Sequence, residues 1–194
     1  MVTVLWLLAL LGSLGAFDTL YYHEWRGQLP ARLPGVRPEL KLHAVRDFIY
    51  VIVFGSLPWL AWQGAWAAAF AVLLAAEIVI TIADFIVEDR VRKPLGGLFA
   101  GERATHALMG IIYGAILANL IPVLIDWADR AAGLVVDPPP VPGVLRWALT
   151  LGAVGIGVSG ARDLYAVFGF PRPRARWPWR SPASTPGSPG GRPA

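Results

Sequence analysis

The chain has 194 residues, 56% of them hydrophobic and 15% charged, with a mean hydropathy of +0.54. That is the length of one domain, and its composition lies outside the soluble range and belongs in a lipid bilayer. The net charge is +4, and the absence of cysteine excludes disulfides, thiolate metal sites and iron-sulfur clusters and leaves the redox compartment undetermined. Uncharged runs at Met1 to Phe17, Phe48 to Ala76 and Ala107 to Ile125 each approach or exceed the ~18 to 20 residues that span a hydrocarbon core. A weaker run covers Trp147 to Ala161.

The first predicted helix runs from about Val2 to Trp25 and ends in Asp18, Tyr22, His23 and Glu24. Residues 1–16 lack a basic leading region and match a small-residue cleavage site only loosely, so they read as helix and not as a removed signal. The link Arg26 to Pro38, with three prolines and three arginines, suits a headgroup-level loop. A second helix starts near Glu39 and runs to about Gln63, with a bend expected at Pro58. After a short turn a third helix, roughly Trp66 to Arg92, carries Glu77, Thr81, Asp84 and Glu88 on one stripe.

Lys93-Pro94-Leu95-Gly96-Gly97 ends that helix, and Glu102 opens a fourth that continues to about Asp126. The segment Arg130 to Gly143 reads as an external loop. A fifth helix, about 144–168, is rich in small residues that allow close backbone approach. Arg162 and Asp163 near its end read as interfacial. Residues 170–194 are Pro, Arg, Ser and Gly without periodicity and read as a disordered basic tail, with Trp177 and Trp179 resting on the membrane interface.

The expected architecture is an all-α integral membrane protein, with residues 1–169 as its helical domain and five transmembrane helices. Fifteen of the seventeen Lys and Arg lie in 26–46, 90–103 and 162–192. By the positive-inside rule this places the N-terminus outside and the C-terminus in the cytoplasm, in the plasma membrane if the source is bacterial. The same distribution speaks against a nucleic-acid surface.

A repeat runs through the first four helices. Glu39, His43, Ala44, Ile49 and Tyr50 recur at one constant spacing as Glu102, His106, Ala107, Ile112 and Tyr113, and Asp18 and Arg26 are echoed by Asp84 and Arg92. Two helical hairpins, about 2–63 and 66–126, therefore read as copies that form a four-helix core. On a helix, Glu, His and Tyr at i, i+4 and i+11 share a narrow stripe.

The topology collects Asp18, His23, Glu39, His43, Asp84, Glu88, Glu102 and His106 in one layer at the cytoplasmic ends of helices one to four. These eight are the candidate metal ligands, with Asp47, Glu77, Tyr50 and Tyr113 as supporting residues behind them. Glu77 lies roughly 16 Å along the axis from Glu88, where a carboxylate costs on the order of 2.5–3.5 kcal/mol and marks function by default.

Inward carboxylates on two helices and a Glu plus His pair on each of two others resemble the donor logic of di-iron and di-manganese centres in four-helix bundles. The spacing here is E-x-x-x-H instead of E-x-x-H, and three histidines cannot supply the histidine boxes of membrane desaturases. Hard carboxylates and imidazoles favour iron or manganese, so a dinuclear centre serving redox chemistry on a lipid or other apolar substrate is the leading expectation. Three alternatives come from other classes: haem b held between His43 and His106, a proton- or ion-coupled transporter using the acidic stripe of helix three, and a non-catalytic membrane partner protein. No Ser-x-x-Lys, G-x-S-x-G, H-E-x-x-H or P-loop pattern occurs, and nothing in the sequence fixes the oligomeric state.

Overall fold

The computed structural model describes residues 1–33 and 35–169; the basic tail and its two tryptophans, expected over 170–194, lie outside the described residues. Five α-helices make up most of it: α1 (Val2–Phe17), α2 (Arg37–Ser56), α3 (Ala65–Arg92), α4 (Ala100–Ala128) and α5 (Gly143–Val167). Four helical stretches are long and apolar enough to cross a membrane, namely α1 with its continuation to Gly27, α3 with its continuation to Leu95, α4 and α5. The helix α2 is not among them, since its first half carries Arg37, Glu39, Lys41, Arg46 and Asp47.

Contacts run from α1 to α4, α4 to α3, α3 to α2, α2 to α5 and α5 back to α1, a closed ring of five. The fifth helix is thus part of the ring and packs most extensively against α2. Small residues allow this: Gly160 lies against Ala44 and Asp47, Gly157 against Val51, and Gly55 against Ala153. A Cβ at Gly160 would come within 2.9 Å of Asp47 Cβ, so a larger residue there would push the two helices apart.

The outer faces of α3, α4 and α5 are apolar, with Val72, Val79, Ile86, Ile111, Ile125, Leu151 and Val158 exposed. Helices that are apolar on the outside as well as the inside are what a bilayer selects. Inside, Leu5, Leu8, Val53, Phe54, Phe70, Leu120 and Leu149 belong to one long core.

Three expected boundaries are corrected. The second helix ends at Ser56, and Leu60–Gln63 is a strand, β1, paired antiparallel with β2 (Gly133–Val136) inside the expected external loop. Pro58, lacking an N–H, ends the helix and does not bend it. The first helix is α-helical only to Phe17; Asp18–Gly27 continues it as a π-helix. The expected headgroup loop after it instead folds under the bundle, where Leu29, Val36 and Leu40 pack with Val167 in a second small apolar cluster. Polar residues sit between the long core and this apolar plug.

Candidate metal centre

All eight candidate ligands come together between the core and the plug. Seven of them are buried, with Asp18, His23, Glu39, His43, Asp84, Glu88 and Glu102 no more than 5% exposed, and His106 is half-buried. The π-helix explains how Asp18 and His23 meet. Five residues along an α-helix turn the chain about 140° out of line, but the i→i+5 bonding of a π-helix returns residue i+5 close to residue i. His23 Nε2 accordingly lies 3.3 Å from Asp18 Oδ2. Short π segments inside longer helices occur frequently at functional sites.

Asp18 Oδ2 is shared, for His106 Nε2 lies 3.1 Å from it while His106 Nδ1 is 3.4 Å from Glu88 Oε2. His23 Nε2 is also 3.5 Å from Glu102 Oε1. The other oxygen of Glu102 accepts the Phe99 N–H at 3.3 Å, which caps the start of α4. His43 Nε2 lies 3.2 Å from Asp84 Oδ2, and its ring stacks on His23 at 4.7 Å between centroids. His106 stacks on Phe85, a partly exposed residue of α3.

Two groups can each offer one ligand atom per residue with all those atoms within 4.8 Å of one another: His23, Glu88, Glu102 and His106, and His23, Glu39 and His43. They share His23, so the cluster is one site with two lobes. Bonds of ~2.0–2.2 Å to an ion keep neighbouring ligand atoms roughly 3.0–3.5 Å apart, the range of the contacts just described.

Two arginines escaped the sequence reading. Arg92 is 3% exposed and donates from Nε and Nη2 to Glu39, at 3.0 Å and 2.8 Å for the closest contacts, while Nη2 also lies 3.4 Å from Glu102 and 3.8 Å from Glu88. Arg46 donates from Nη1 to Asp84 Oδ2 at 2.9 Å. The signal for Arg92 was present, since it extends the Glu88 stripe by one helical turn.

Of the supporting residues, Asp47 shares a cavity with His23 and His43, and Tyr50 and Tyr113 gather around Glu77. Glu77 is 2% exposed and forms its own group deeper in the bundle, where Oε1 accepts hydrogen bonds from Tyr50 (2.8 Å) and Thr81 (2.7 Å). Tyr113 packs edge-on against Tyr50 there. Asp47 faces α5.

Charge decides what the cluster can do. Five buried carboxylates (Asp18, Glu39, Asp84, Glu88, Glu102) face two guanidiniums (Arg46, Arg92), leaving three negative charges when the imidazoles are neutral. Buried charge without a partner costs several kcal/mol per ion, so the remainder calls for bound cations or three imidazolium protons. Asp18 Oδ1, His23 Nε2, Asp84 Oδ1 and Glu88 Oε1 are buried with no hydrogen-bond partner in the protein. Buried polar atoms are nearly always satisfied, and two of these residues, His23 and Glu88, belong to the four-residue group that could hold a cation.

The geometry does not suit haem. Both nitrogens of His106 face carboxylates, His43 Nε2 faces Asp84, and the His43 ring is covered by His23. No known family model matches the chain, and neither a curated protein nor a solved structure is significantly similar to it. The site therefore has to be read from its own chemistry.

Proposed function

We propose that this is an integral membrane metalloprotein whose centre binds iron or manganese among His23, Glu88, Glu102 and His106, with Asp18 bridging two of the histidines and Glu39 and His43 forming a second lobe. The observation that carries the reading is the convergence of three histidines with Glu39, Glu88 and Glu102 from four separate helical segments, with Asp18 and Asp84 against the imidazoles and His23 Nε2 and Glu88 Oε1 unpartnered. Oxygen and imidazole donors without thiolate favour these metals over copper(I). The fit is to a dinuclear or shared centre, and the hairpin duplication that would account for it is part of the same proposal.

When bound, iron or manganese would supply one-electron redox chemistry or Lewis acidity. The chain's residues hold it: Arg92 fixes Glu39, Phe99 orients Glu102, and Asp18 orients two imidazoles, as outer partners do in metal sites. Phe85, 40% exposed, stacks on His106 from α3, and the outer face of α3 is apolar. That position supports a lipid or other apolar substrate that arrives through the bilayer. By the distribution of Lys and Arg, the centre lies near the cytoplasmic leaflet, with all five helices crossing.

Metal analysis of protein purified in detergent from cells supplied with iron and manganese tests the reading. We expect at least one equivalent of iron or manganese per chain, lost in His106→Ala and reduced in His43→Ala. A folded wild-type protein without metal overturns it.

A second reading is favoured by one observation, the buried Glu77 held by Tyr50 and Thr81 beyond the cluster. Ionisable groups at membrane depth commonly mark proton or ion pathways, so a proton-coupled carrier would use Glu77 and the cluster in series. It predicts pH-driven flux in proteoliposomes that Glu77→Gln abolishes.

A further inference from the structure

Leu29, Val36, Leu40 and Val167 form the apolar plug, and Leu29 and Leu40 also line a cavity that reaches the cluster's histidines. This cavity of about 20 Å³ lies between the π-helix, α2 and α5, room for one water-sized species. His23 and His43 line it toward the cluster, and Asp47, Glu24, Asp163 and Arg162 line it toward α5. His23 is 5% exposed, and its Nε2 has no hydrogen-bond partner. Asp163 is 3% exposed.

We propose that this cavity is a loading vestibule for a divalent cation, latched by Arg162; the proposal rests on the metal reading and adds to it the route by which the ion arrives. Three carboxylates line the space. Two guanidiniums there oppose a dication, Arg46, which is held inward by Asp84, and Arg162, the more exposed of the two. Arg162 Nη2 bridges Glu24 at 2.6 Å and Asp163 at 2.9 Å, and its side chain is 41% exposed against 13% for Glu24. It is therefore the outermost of the charged lining groups. The guanidinium is the exposed member of this bridge, so it can swing outward, and a cation that enters replaces the charge it withdraws from the half-buried Glu24 and the buried Asp163. The wall it leaves behind is acidic, with His23 and His43 at its inner end.

Asp47 is the inner acid of this path. Gly160 leaves the space its Cβ occupies beside α5, and it makes no ion pair with Arg162, so changing it tests attraction apart from the latch. Arg162→Gln removes the latch and one opposing charge together.

The rate at which purified apo-protein takes up Mn²⁺, followed by the loss of the free-ion electron paramagnetic resonance signal, separates these effects. Arg162→Gln should load roughly fivefold faster than wild type or more, and Asp47→Asn slower by a similar factor, as expected for one charge added to or taken from a confined wall. Both should reach the wild-type final stoichiometry. Arg162→Lys, which keeps the charge without the two-pronged bridge, should fall between wild type and Arg162→Gln, and it provides a reading if the glutamine variant is unstable. Unchanged rates at unchanged stoichiometry overturn the vestibule alone. A wild type that takes up no Mn²⁺ overturns the metal reading and the vestibule with it.

Discussion

Replacing Arg92 by glutamine strikes the cluster where protein charge, not metal, does the neutralising. Arg92 is 3% exposed, and its partner Glu39 is 0% exposed and receives both Nε and Nη2. Removing one member of such a buried pair costs about 3–5 kcal/mol, because the surviving charge keeps its desolvation penalty and loses its compensation. With the imidazoles neutral, the residual charge of the cluster rises from three negative to four, since Glu88 and Glu102 lose the same cation. A divalent ion then gains more by binding. At one hundred times its Kd, a ligand specific for the folded state contributes about 2.7 kcal/mol.

Arg92→Gln should therefore unfold far more easily than wild type in the presence of chelator, and Mn²⁺ should stabilise it by more than it stabilises wild type. Denaturant titration in detergent, read by helical circular dichroism and tryptophan fluorescence with and without Mn²⁺, measures both terms. A variant as stable as wild type in chelator would show that the buried Arg92–Glu39 pair contributes nothing. Equal Mn²⁺ shifts in the two proteins would show that the cluster charge does not govern metal affinity.

Two further outcomes follow from the same geometry. A Cβ at Gly101 would overlap the Tyr22 hydroxyl, so Gly101→Ala should cost about 1–3 kcal/mol as the π-helix and α4 are forced apart; Tyr22→Phe in the same chain should recover most of that loss in the same unfolding assay. Imidazole and carboxylate must be free of protons to bind a metal, so loading should release protons and weaken as pH falls. An indicator in weakly buffered solution reads the release directly, and loading with no proton release between about pH 6 and 8 would contradict histidine ligation.

Much of the site was legible because its residues obey helical periodicity. Glu39 and His43, Glu102 and His106, and Asp84 and Glu88 each stand four apart, so one face of α2, α4 and α3 could be read directly. Asp18 and His23 are five apart. On an α-helix they diverge, and nothing in DTLYYHEWRG announced the π-helix that reunites them.

Arg92 and Arg46 were hidden for a different reason. Both lie in stretches dense with Lys and Arg, where a headgroup role explains any single member; Arg92 continues the Glu88 stripe, while only the three-dimensional placement shows that Arg46 turns inward. The plug was obscured in the same way, since Leu29 and Val36 are spaced between prolines and arginines that read as a surface loop. For α5 the small residues signalled close packing, but not the partner. A run of glycines says that something comes near without saying what.

The two ends of the ring are fastened by different means. Opposite the cluster, β1 and β2 join the α2–α3 turn to the α4–α5 link by a backbone ladder, reinforced by Gly64 N–H to Trp127 O at 2.8 Å and Asp137 N–H to Trp59 O at 3.0 Å. A ladder of amides is indifferent to pH and metal. At the other end, helices meet through carboxylates, imidazoles and guanidiniums, whose attraction depends on how many protons and cations they hold. The bundle thus resembles a clothes peg, sprung shut at one end and closed at the other by whatever sits between the jaws. A change in the charge held there acts on the helix ends near Gly27, Arg92 and Phe99, and the strand ladder contains no charged group on which it could act.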